Sequence, residues 1–119
     1  MEFSRKSGLF GQQKFAVGIV FAAQDQASFG EELRQAKAAL LEWFAKRGKS
    51  GDLVQFTVAM PFDLHGPAEA TLRQIHAAEK ELSPPLQQRT IQISFLDGQG
   101  QLLRELTCKD GHWESSVAT

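Results

Sequence analysis

The spacing of hydrophobic residues changes repeatedly between Lys14 and Leu96, and this alternation limits the folds open to the chain. Phe15, Val17, Ile19 and Phe21 recur at every second residue, with Ala16, Gly18, Val20 and Ala22 between them. A period of two marks a strand, and apolar groups on both of its faces predict one buried on both sides or at least central in its sheet. From Phe29 the spacing becomes that of one helical face, through Leu33, Ala36, Leu40 and Trp43 or Phe44. Val54, Phe56, Val58 and Met60 return to period two within Leu53–Met60. Leu72, Ile75, Ala78 or Glu79, and Leu82 then form a second helical stripe, and Ile91, Ile93 and Phe95 a third alternating run.

The punctuation between these runs agrees with them. Ser28 and Glu31 form a capping-box pair for the first helix, in which each side chain satisfies an amide left free at the helix start. Glu31 and Glu32 suit the positive end of its dipole, Lys46 and Arg47 the negative end, and Gly48 a left-handed stop. Pro61 ends the second strand, Pro67 suits the first position of the second helix, and Pro84-Pro85 blocks its continuation. Asp97-Gly98-Gln99-Gly100 reads as a hairpin turn joining Thr90–Leu96 to a returning strand, Gln101 to Thr107.

The expected order is therefore β-α-β-α-β-β. It predicts an α/β domain (α+β being the alternative) with a four-stranded mixed sheet, two helices and a C-terminal β-hairpin. Residues 14–114 form the single domain, residues 1–13 a flexible or edge arm, and residues 115–119 a loose tail. The element order resembles the thioredoxin-like arrangement. The chain has no Cys-x-x-Cys pair and no proline directly before the third strand, so the resemblance implies topology and no redox chemistry. A two-layer sandwich with both helices on one sheet face has the same order, and periodicity does not choose between them.

Composition narrows the function classes. The chain has 119 residues, 42% of them hydrophobic, which is enough for one core without disulfide or metal support. Thirteen basic and fourteen acidic residues leave a formal charge of −1, which creates no field to gather nucleic acid or anionic lipid. The apolar run Phe15–Ala23 is about half of a membrane span. The first ten residues are polar and broken by Gly8, so no secretory leader is read. A single cysteine, Cys108, suits a reducing compartment, and the expected location is cytoplasmic.

Few residues suggest chemistry. Asp63 and His65, in the loop after the second strand, resemble the Asp-x-His-Gly metal segment of binuclear metallophosphatases, with Phe62 where that family has glycine. The family's further metal segments are absent. The resemblance implies a small metal-dependent hydrolase as one alternative, with His76 as a third group. Cys108 and His112 supply at most half of a zinc site, and Cys108 is expected as a buried small hydrophobe. Arg5, Lys6 and Lys14 form a basic arm that supports a second alternative, a nucleic-acid accessory protein. Trp113 stands outside every periodic pattern, as an interface anchor or as a cap over the core. With Gln92, Ser94 and Gln101 it marks the hairpin as a pairing surface. No phosphate loop, nucleophile elbow or cofactor motif is present. The leading expectation is a non-catalytic protein-binding or assembly module, able to form a homodimer, with no cofactor or resident metal.

Overall fold

The structure is a computed structural model that describes residues 2–7, 15–47, 53–82, 85–86, 89–109 and 111–117. Its strands are β1 (Glu2–Ser7), β2 (Phe15–Phe21), β3 (Leu53–Val58), β4 (Thr90–Leu96), β5 (Leu102–Lys109) and β6 (His112–Val117). The helices are α1 (Gln26–Arg47) and α2 (His65–Ala77), with short 3-10 turns at Phe62–Leu64 and Glu79–Glu81. The α/β class and the mixed sheet are as expected, but the strand count is not. Among the described residues the sheet has six strands, in the order β1-β2-β3-β4-β5-β6. The additions are the two edges. Residues 2–7, read as an arm or edge, pair antiparallel with β2, and Ser115 to Val117, read as a loose tail, belong to β6.

Strand order also settles the position of the helices. β2, β3 and β4 are parallel neighbours in sequence order. Two right-handed crossovers that step in the same direction across a sheet must place both helices on one face. The packing agrees. Lys37 of α1 and Ile75 of α2 line one shallow depression, and both helices share a single cluster with one face of the sheet. The fold is thus the two-layer sandwich.

The covered face is assembled from rows of register partners. Val17, Val54, Ile91 and Cys108 form one row and Ile19, Phe56, Ile93 and Leu106 the next, and all are nearly or fully buried. Phe29, Ala36, Leu40, Trp43 and Phe44 of α1 and Ala68 and Leu72 of α2 close over them. Phe29 meets Phe21 edge-on, with ring centroids 5.4 Å apart. The opposite face carries Gly18, Gln55, Gln92 and Thr107 in one row and Val20, Thr57, Ser94 and Glu105 in another. The first strand is thus not buried on both faces, since Gly18 and Val20 remain half-buried, but it is interior to the sheet, between β1 and β3. Gln92 spans this face to Glu105, its Nε2 donating at 2.8 Å.

Helix starts differ from the sequence reading for local reasons. Asp25, not Ser28, caps α1, because its Oδ1 accepts the Ser28 amide at 2.8 Å and so satisfies the third amide of the helix. α2 begins at His65 in place of Pro67, since the 3-10 turn Phe62–Leu64 runs directly into it. Pro67 still falls in the first turn, where its missing N–H leaves no gap.

Candidate functional site

Three parallel strands end side by side, and the chain leaves each in a different direction. A cleft of about 710 Å³ opens where they part, lined by Gln24 after β2, Met60, Pro61, Phe62 and His65 after β3, and Leu96 at the end of β4 with Asp97 after it. Crevices at the carboxyl ends of α/β strands are where such sheets hold ligands, and this volume lies within the usual range for them. Leu103 of β5 also lines it.

The segment after β3 shapes the cleft. Pro61 fixes an extended backbone (φ −52°, ψ 145°), and the Leu64 amide donates back to its carbonyl at 2.8 Å. Leu64 turns inward and is buried, which leaves Phe62 outward at 79% exposure. His65 is held from below. Its Nε2 lies 2.9 Å from the Met60 carbonyl oxygen, and because a carbonyl can only accept, Nε2 must carry the proton. The imidazole sits between Phe62 and Phe95, with centroids 5.4 and 5.2 Å away. On the other side of the Phe62–His65 ridge is a second hollow of about 320 Å³, bordered by Glu69, Phe95 and Arg104. Glu69 holds both Arg73, at 3.3 Å, and Arg104. Arg104 in turn lies over the Phe95 ring, 5.1 Å from its centroid.

Asp63, His65 and His76 do not form one site. Asp63 is exposed on the 3-10 turn and His65 faces the cleft. His76 stands eleven positions further along α2, roughly 16 Å at the rise of a helix. Among the described residues no group of three or more His, Cys, Asp or Glu is placed to hold a metal ion.

His76 has a different partner. It is 8% exposed, and its Nε2 lies 3.3 Å from the Sγ of Cys108, which is 1% exposed. Trp113 meets the imidazole edge-on at 5.6 Å, and the Arg73 guanidinium lies over the Trp113 ring, 4.8 Å from its centroid. Burial pushes the His76 pKa down, against the charge of Glu79, which raises it. Burial also pushes the Cys108 thiol up, against the Gly111 amide and the Arg73 charge. Both shifts favour the neutral thiol and neutral imidazole over the thiolate–imidazolium pair. Cys108 is the buried group expected from the sequence. His112 lies on the other face of the hairpin, since Cys108 is in register with Trp113 and Lys109 with His112.

The remaining expected binding residues are dispersed. Gln92 and Ser94 lie on the interior strand β4, on the face away from the helices, and Gln101 is exposed beside the β4–β5 turn. Trp113 is on β6 but folds over the core, half-buried. Arg5 and Lys6 fall in edge strand β1, and Lys14 lies outside the described residues. Phe62 is the residue that the sequence reading passed over. Its signal was an aromatic inside a Pro-Phe-Asp-Leu-His-Gly segment that belongs to no periodic run. Comparison of the chain with family models, with curated proteins and with solved structures found no match.

Proposed function

We propose that this domain is a non-catalytic protein-binding module whose partner seats an apolar side chain in the strand-end cleft, against Phe62. The observation that carries this reading is the 79% exposure of Phe62 on the lip of a cleft walled by Met60, Pro61, Leu96 and Leu103. A large aromatic held in water by a rigid turn stabilises the isolated fold little, whereas the same ring at an interface is a typical anchor. The nearby polar groups are already occupied in ways that hold the cleft in shape. His65 is bonded to Met60, and the Asp97 Oδ1 accepts the Gln99 and Gln101 amides at 2.8 and 2.9 Å. A cleft whose acid and base are engaged in this manner suits recognition better than proton transfer. A lone, buried Cys108 fits the cytoplasmic setting proposed for the module.

Affinity capture from the source organism tests the reading, with Phe62→Asp beside the native chain. Leu41→Asp, which alters another exposed apolar side chain on α1, serves as the control. Loss of an anchor worth about 2 kcal/mol lowers recovery of the specific partner about 30-fold in Phe62→Asp and not in Leu41→Asp. Equal recovery by all three columns overturns the proposal.

A further inference from the structure

The sheet has two outer edges, β1 and β6, and they are guarded unequally. Free edges invite pairing with another chain, and proteins blunt them with charge, proline or bulges. β1 (EFSRKS) carries Glu2, Arg5 and Lys6. β6 (HWESSV) carries one formal charge, Glu114, has no proline, and pairs with β5 without the register shift that interrupts β4–β5.

Pairing parity shows which backbone groups β6 presents. Lys109 faces His112 across a two-residue connection, where the closing pair of a hairpin exchanges hydrogen bonds. Thr107–Glu114 and Glu105–Ser116 are then bonded pairs as well, so the N–H and C=O groups of Trp113, Ser115 and Val117 point to the outer edge. We propose that β6 is a self-association edge, on which two copies of the chain pair antiparallel about a two-fold axis through Ser115.

Charge disfavours the neighbouring register. With Ser115 opposite itself, Glu114 faces Ser116 of the second copy and no two charged residues are opposed. A shift that centres on Glu114 sets two carboxylates face to face and is disfavoured. The helices leave room for the pairing. α2 lies over β5, through Glu69 to Arg104 and His76 to Cys108. The two β5 strands of a joined sheet are about 14 Å apart, at about 4.8 Å per strand. That exceeds the roughly 10–12 Å diameter of a helix. The edge is distinct from the Phe62 cleft, and a two-fold pairing closes on itself, so assembly stops at two copies.

Sedimentation equilibrium of the full chain tests this, from about 10 µM to about 1 mM. The mass is expected to rise from 13.2 kDa towards twice that value and no further. Ser115 is exposed, so Ser115→Asp and Ser115→Lys keep the fold, as circular dichroism checks. Each variant alone places like charges across the axis and stays monomeric over the whole range. An equimolar mixture of the two restores the dimer as a one-to-one pair in native mass spectrometry. A native chain that stays monomeric, masses that grow beyond a dimer, a dimer that survives Ser115→Asp, or a mixture that does not pair each overturns the proposal.

Discussion

Replacing Trp43 should separate two opposed contributions that the structure places in one side chain. Trp43 is 1% exposed and packs edge-on against Phe44, with centroids 5.2 Å apart. Among the described residues its buried indole Nε1 has no hydrogen-bond partner. Trp43→Ala leaves a large cavity beneath the sheet and should cost about 3–5 kcal/mol. Trp43→Phe removes roughly two methylene equivalents of apolar contact, about 1.6 kcal/mol at about 0.8 kcal/mol each. The same change deletes the orphaned N–H, whose burial costs about 1–3 kcal/mol. The two effects nearly cancel, so Trp43→Phe should lie within about 1 kcal/mol of the native chain. Urea unfolding followed by far-ultraviolet circular dichroism reads this without relying on tryptophan emission. With a slope of about 1–3 kcal/mol per molar, the midpoint should fall by about 2 M for Trp43→Ala and by under about 0.5 M for Trp43→Phe. Equal losses for the two variants would refute the reasoning.

Two further outcomes follow from the pair under α2. His76 has a lowered pKa in the folded state, so its stabilising neutral form is fully present above the ordinary value of 6.5 and is lost as the pH falls below it. Urea midpoints measured from pH 7.5 down to about 5 should decline in the native chain and decline less in His76→Phe, whereas parallel curves contradict this assignment. Cys108 combines burial with a raised pKa, so iodoacetamide should label it slowly in the folded protein and rapidly in denaturant. Labelling at the same rate in both conditions would show that the thiol is open to solvent.

The elements that bury an apolar face were the ones readable in advance. β2, β3 and β4 each place every second side chain against the helices, so Val17, Phe56 and Ile93 leave a clear period of two. The edges leave no such trace. β6 contributes Trp113 to the core while His112, Glu114 and Ser115 face water, and its pairing is set by β5 rather than by its own hydrophobic pattern. The placement of both helices on one face was equally hidden, since it depends on strand order, which is a long-range property. Cap choice failed at a finer scale, because Asp25 and Ser28 are both good caps three residues apart and the carboxylate took the amide.

The candidate site was legible in position and not in content. The segment after β3 lines the strand-end cleft, but its Asp63 and His65 drew attention away from Phe62, the side chain that the turn presents. His76 and Cys108 are separated by thirty-two positions, and only the passage of β5 beneath α2 brings them to 3.3 Å. No spacing rule within one element reaches that far.

The most direct measurement places a photoreactive benzoylphenylalanine at position 62 and irradiates the protein in cells of its source. The account predicts a specific crosslinked protein from position 62 and none from position 41. Crosslinks from position 41 alone, or none from either, would contradict the assignment of the strand-end cleft as the recognition surface.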